Sequence, residues 1–167
     1  LEIARSKIVQ AAKRSGITLK QSYAKEGKEL RRKAGGYAHA KQFRRMRKAV
    51  KRQRTILGIV LREIKRKLAT AEQECSASFQ HLNTLRERVQ RIHQQQPKDK
   101  NKLYALHAPE VECIGKGKAR KPYEFGVKAS IAITHKNGLM VGAKTFPGNP
   151  YDGHILHKQL TQTQALL

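Results

Sequence analysis

An α+β chain is predicted, with N-terminal helices that include a long basic helical hairpin, followed by a β-hairpin and a helix. Three observations predict it. Apolar residues recur at spacings of three and four along residues 43–68 and again along 75–92. Residues 123–133 instead alternate apolar with other side chains, and Asn137-Gly138 follows them. The charge is also uneven: Lys and Arg total 36 against 12 Asp and Glu, a formal +24. Nearly half of that excess lies in residues 38–68, where twelve basic residues stand against Glu63 alone.

Taken in order, Ile3, Lys7, Ile8, Ala11 and Ala12 suggest a first helix that Gly16 ends. Residues 17–37 carry no clear period, and Gly35-Gly36 marks an expected break, so residues 1–37 form an N-terminal helix and basic connector. In the next helix Phe43, Met46, Val50, Gln53, Leu57, Val60, Ile64 and Leu68 make the apolar stripe, which Ile56 and Leu61 widen. Gly58 costs about 1 kcal/mol relative to Ala within it. A second stripe runs through Cys75, Phe79, Leu82, Leu85, Val89 and Ile92. Thr70 with Gln73 resembles a capping box between the two. Two antiparallel helices, about 38–68 and 71–95, are therefore preferred to one rod, the neutral second burying its stripe against the first.

Residues 96–122 read as linker and loop, because Pro97 stops the second helix and Pro109, Gly115 and Gly117 follow. Tyr123, Phe125, Val127, Ala129, Ile131 and Ile133 then share one face of a strand, expected to be the buried one. Asn137-Gly138 turns the chain into a returning strand from Leu139 to Phe146. Asp152 is placed as the N-cap of a last helix carrying Ile155, Leu156 and Leu160, completing the unit 123–167. A lone hairpin is marginal, and its open edge predicts poor solubility.

Composition narrows the function. Hydrophobic residues make up 38% of the chain and Trp is absent, so the core is expected to be modest. A charge of this size opposes compaction unless a polyanion or salt screens it, which makes nucleic acid the expected partner. No stretch approaches the ~18 apolar residues of a membrane span, and residues 1–20 lack a signal-peptide pattern. No membrane and no small-molecule substrate is therefore expected. Cys75 and Cys113 are isolated and without zinc spacing, which fits a reducing cytoplasm. Arg44, Arg45, Arg47, Lys48, Lys51, Arg52 and Arg54 fall mostly off the apolar stripe, and with Lys116 and Lys118 are the expected DNA contacts. Such contacts grip phosphates without reading sequence. Tyr23 and Tyr37 lie among basic residues, but two tyrosines are too few for a stacking platform.

Several segments carry a likeness to known proteins. Gln21-Ser-Tyr, Tyr37-Ala-His-Ala-Lys-Gln-Phe, Leu106-His-Ala-Pro-Glu-Val-Glu-Cys-Ile, Gly115-Lys-Gly-Lys, Tyr123-Glu-Phe-Gly-Val-Lys and Pro147-Gly-Asn-Pro-Tyr-Asp-Gly-His span nearly the whole chain. They resemble the middle of transposases of bacterial insertion sequences, the family called insertion sequence family five, of the DDE, ribonuclease-H-like type. The resemblance implies a mixed sheet flanked by helices, of which residues 123–167 would be an incomplete part and 38–95 an insertion. It also implies three carboxylates holding two magnesium ions for in-line attack on DNA phosphate. The first would lie upstream of Leu1; the second, in an Asp-x-Gly-Tyr motif, and the later Glu do not occur in the sequence.

No catalytic and no metal residue is therefore assigned, and no cofactor is expected for this chain, although the full-length family uses magnesium. Asp152, with His154 and His157, imitates a metal motif but is read as a helix cap. Glu110, Glu112 and Glu124 are read as structural or solvated. The resemblance makes the full-length protein an enzyme of DNA transposition in the bacterial nucleoid, with possible self-association. This chain, whose first residue is Leu1, is expected to be an inactive internal fragment that retains DNA affinity. A non-enzymatic nucleoid- or ribosome-associated binding protein is the alternative, and it leaves the motifs between 106 and 154 unexplained.

Overall fold

The computed structural model describes residues 1–167 except 71–76, 116, 118, 120, 121 and 167, and at Thr70 it describes the backbone only. The chain is α+β and divides into two compact units, Leu1–Asp99 and Lys100–Leu167. The readings made at Cys75, at the Thr70–Gln73 capping box and at Lys116 and Lys118 fall outside the described residues or side chains. Among the described residues no helix is long and apolar enough to cross a membrane.

Among its described residues the first unit holds four helices: α1 (Glu2–Arg14), α2 (Ala24–His39), α3 (Phe43–Thr70) and α4 (Ala77–Gln94). Their core is built by Ile8 and Ala12 of α1, Ile56, Leu57, Val60 and Ile64 of α3, and Leu82 and Val89 of α4, all nearly inaccessible to solvent. Each large side chain buried in this way contributes about 1.5–3 kcal/mol. The central members of the stripes read from spacing thus supply the core, whereas Met46, Val50, Leu68, Phe79, Leu85 and Ile92 are half-buried and Phe43 at the start of α3 remains 51% exposed. The carbonyl of Gln95 accepts from Arg54, and His93 packs on Gly58. These contacts make α3 and α4 antiparallel. Yet α4 packs chiefly on α1, and α3 chiefly on α2, so the apolar face of α3 is covered by three helices and not by α4 alone.

α1 ends as expected. Gly16 adopts a left-handed φ of 72°, the Gly16 N–H donates to the Lys13 carbonyl, and the Ile17 N–H donates to that of Ala12. This double closure satisfies carbonyls that the helix end would leave open.

The expected break at Gly35-Gly36 is not observed. Both glycines lie within α2, on its exposed side, with nothing within 4 Å of where a side chain would begin. Two glycines cost a helix about 2 kcal/mol, and packing through the half-buried Leu30, Ala34 and Tyr37 offsets it. The real end comes five residues later by the same double closure. Lys41 takes the left-handed φ of 54°, its N–H donates to Ala38, and the Gln42 N–H donates to Tyr37.

The second unit contains β1 (Glu112–Gly115), β2 (Tyr123–Gly126), β3 (Lys128–Ile133), β4 (Met140–Phe146) and α5 (Asp152–Leu166). The single long strand expected from 123 onward is divided at Val127. Its first part pairs antiparallel with β1, Cys113 opposite Phe125, and its second pairs antiparallel with β4, Ile131 opposite Ala143. β1 lies in a stretch read as loop. The hairpin turn forms where Asn137-Gly138 places it, with Gly138 at a φ of 62° and a register irregularity at Ala132/Ile133.

The buried face of β3 is the opposite of the one expected. Ile131 and Ile133 are 60% and 63% exposed, whereas Ala132 and its partner Gly142 face α5. The reason is space. A Cβ on Gly142 would stand 2.5 Å from the Thr163 hydroxyl oxygen and 2.9 Å from Gln159 Nε2, so the helix seats only on the small-residue face. Phe146 and Ile155 close the contact.

Candidate nucleic-acid interface

α3 owes its length to its apolar stripe and its character to the opposite side. At 3.6 residues per turn, Arg44, Arg47, Lys48, Lys51, Arg62, Lys65 and Arg66 fall on the face turned away from the core, and each is exposed. They form two clusters, Arg44 to Lys51 and Arg62 to Arg66, parted by Thr55 and by Gly58, which His93 covers. From Arg44 to Lys65 they span about 32 Å at 1.5 Å per residue, close to one turn of duplex at about 34–36 Å. Among the described residues, Arg44, Arg47, Lys48, Lys51, Arg62 and Lys65 make no ion pair.

The single carboxylate of α3 is turned inward. Glu63 accepts from the Lys20 backbone N–H at 2.7 Å and pairs with Lys67 at 3.0 Å. The Lys20 N–H, then Lys67, hold its pKa below the usual carboxylate value against the opposing effect of burial. Lys67 also donates to the Thr18 carbonyl, which fastens the α1–α2 connection to α3.

The charge distribution along α3 works against the helix itself. Four of its first six residues, Phe43 to Lys48, are basic, and the first turn holds no acid. Positive side chains in the first turn, Arg44 and Arg45, meet the positive end of the macrodipole at a cost of about 0.3–1 kcal/mol each, and Arg44, Arg47 and Lys48 make no ion pair among the described residues that offsets their mutual repulsion. An anion placed there would relieve both the dipole and the repulsion.

The expected contact residues divide into two groups. Arg44, Arg47, Lys48 and Lys51 share the outer face. Arg45, Arg52 and Arg54 are turned to its flanks and given partners within the chain. Arg45 donates to Gln42, Arg52 pairs with Glu26 of α2 at 2.7 Å, and Arg54 reaches the Gln95 carbonyl at 3.1 Å. The structure adds Arg62 and Lys65, which the sequence reading did not single out although the heptad continues through them. Beside them, His93 is half-buried. Burial, then the charge of Arg54, lowers its pKa below the ordinary value of 6.5, Arg62 adds to the effect, and a hydrogen bond with the Arg54 backbone opposes it. Tyr23 and Tyr37 are half-buried, which leaves little ring free for stacking.

The acidic candidates of the second unit do not gather into one site. Asp152 is 84% exposed in the first turn of α5, where a carboxylate suits the helix dipole, and it pairs with Lys128 at 2.5 Å. His154 stacks edge-on against Tyr151. Glu112 accepts from the Gly148 N–H at 3.0 Å, and Glu110 and Glu124 are exposed. Among the described residues no group of three His, Cys, Asp or Glu side chains converges as a metal site would need.

Comparison with protein-family models, with curated proteins and with solved structures finds no match to this chain.

Proposed function

We propose that the chain binds duplex DNA through the outer face of α3, as part of a DNA transposase of the kind its motifs resemble. One observation supports the binding most directly: a 28-residue helix whose outer face carries two clusters of exposed cations, Arg44 to Lys51 and Arg62 to Arg66, whose one acid is buried, and whose N-terminus carries charge of the wrong sign for folding. Phosphates spaced along one duplex turn satisfy all three features. In this reading Arg44, Arg47, Lys48, Lys51, Arg62 and Lys65 hold the backbone without selecting sequence. The motifs between 106 and 154 carry the transposase assignment, and residues 123–167 correspond to part of a ribonuclease-H-like domain. Strand transfer would belong to carboxylates that this chain does not include, and magnesium would be bound by them.

Binding of the full chain to a fluorescent duplex, followed by anisotropy across a salt series, tests the reading. The triple variant R44Q/K48Q/K51Q is expected to flatten the slope of log K against log salt by about 3, since each lost phosphate contact contributes about 0.9. An unchanged slope would remove α3 from the interface. A preference for structured RNA over duplex DNA would favour the ribosome-associated alternative, and magnesium-dependent strand transfer by this chain alone would overturn the assignment of catalysis elsewhere.

A further inference from the structure

A second basic feature of the first unit is not used by the α3 face. α1 and α2 enclose a groove whose walls carry Ile3, Ser6, Lys7, Lys28, Arg31 and Arg32. All four cations are exposed, and none has an ion-pair partner among the described residues. The carboxylate that also borders the groove, Glu2, is already neutralised by two hydrogen bonds from Arg5, at 2.7 and 2.8 Å. The groove therefore presents four positive charges and no free negative one.

Its shape favours a strand. Packed helices stand about 8–10 Å apart, so the furrow between them is on the scale of one sugar-phosphate chain. A single strand fits. Gly35 lies at the rim with no side chain and nothing within 4 Å of its virtual Cβ, so a sugar-phosphate chain can approach the α2 backbone directly. Ile3, 55% exposed, offers an apolar surface for a sugar or base, and Ser6 with Gln10 supplies hydrogen-bonding groups.

The groove is also separate from the α3 face. Glu26 turns toward α3, where it holds Arg52. Lys28, two residues on, lies about 200° further round α2. The body of α2 thus stands between the two surfaces, and one straight duplex on α3 does not reach the groove.

Resting on the nucleic-acid reading above, we infer that the α1–α2 groove is a second binding site that takes the backbone of a single-stranded segment. Lys7, Lys28, Arg31 and Arg32 contact successive phosphates, while Ile3 packs against the nucleoside. Single strands bind such charged grooves with a strong salt dependence.

The test compares two variants with the same charge loss, K28Q/R31Q/R32Q in the groove and R44Q/K48Q/K51Q on α3. Each full chain is titrated into a labelled oligothymidylate of about 12 nucleotides and into a duplex of equal length, with circular dichroism to confirm the fold. The groove variant is expected to lose about tenfold or more in oligothymidylate affinity and to flatten its salt slope by about 2, with less than about a threefold effect on the duplex. The α3 variant is expected to show the reverse. Oligothymidylate binding by the groove variant equal to that of the wild type would overturn the inference, as would equal losses for both ligands. Thymidine monophosphate binding as tightly as the strand would overturn the assignment to a polymer. Failure of the α3 variant to lose duplex affinity would refute the duplex interface and leave the groove standing.

Discussion

Replacing Gly27 with Ala separates local helix preference from tertiary packing. Gly27 lies in the first turns of α2, and Ala there gains about 1 kcal/mol in helix propensity. The added Cβ, however, would stand 2.2 Å from Glu2 Oε2 and 2.8 Å from Arg5 Nε. Glu2 is not a free side chain that can swing away. It is 8% exposed, and Arg5 holds both its oxygens while donating a third bond, at 2.6 Å, to the Ser22 carbonyl. Relief to an ordinary contact requires a shift of about 1 Å, which breaks at least one charge-assisted bond worth about 1.5–3 kcal/mol. Complete separation of a buried pair costs about 3–5 kcal/mol. Set against the helix gain, the expected net loss is about 1–3 kcal/mol. Urea unfolding followed by helix dichroism measures it, with Gly36→Ala as the control. Gly36 lies in the same helix with open space around it, so that variant should gain up to about 1 kcal/mol. A Gly27→Ala protein as stable as the wild type would show that the Glu2–Arg5 pair yields freely, and the account of α1–α2 packing would fall.

Acid should destabilise the first unit in two successive windows. His93 has a folded pKa below 6.5, so the unfolded state binds the proton more readily; its contribution is complete above 6.5 and is lost as pH falls from there. Glu63, depressed below 4.5, keeps its contribution above 4.5 and loses it as pH falls through the folded value. Melting temperature measured against pH for His93→Gln and Glu63→Gln should lose the upper and lower windows respectively; unchanged profiles would contradict both assignments. In the second unit, Gln159 is 3% exposed, and its Oε1 has no partner among the described residues. Gln159→Leu keeps the volume and removes that atom, so thermal unfolding should show a gain of about 1 kcal/mol. A loss of similar size would mean that the bonds of Gln159 Nε2 to Gln162 and Thr163 outweigh it.

What the sequence revealed follows from which signals are local. α1, α3 and α4 were legible because one apolar face repeats every three or four residues, and the Gly138 turn because few residues other than Gly tolerate that backbone. α2 was not, because its apolar face is only Leu30, Ala34 and Tyr37, and its glycines suggested a break that tertiary packing overrides. Its true end uses Lys41 in a conformation that glycine usually supplies, which leaves no mark in the sequence. β1 is four residues long with Glu112 at its start, too short for a period to show. The sheet face was inverted because alternation distinguishes two faces without saying which one a helix covers. Ile131 and Ile133 looked like core, but Gly142 was the residue that decided where α5 could sit.

The candidate interface was legible as composition and not as geometry. A run from Arg44 to Arg54 announces positive charge, yet charge alone does not show which members a fold uses internally. Glu26 and the Gln95 carbonyl engage Arg52 and Arg54, and neither partner is near them in sequence. Conversely, Lys28, Arg31 and Arg32 sit in a segment with no readable period, and they meet Lys7 only because Gly27 lets α2 lie close against α1. The same absent side chain that makes Gly27 sensitive to substitution therefore also sets the width of the basic groove. Stability and binding are coupled at that position: anything that pushes α2 away from α1 opens the groove and separates the cations that line it.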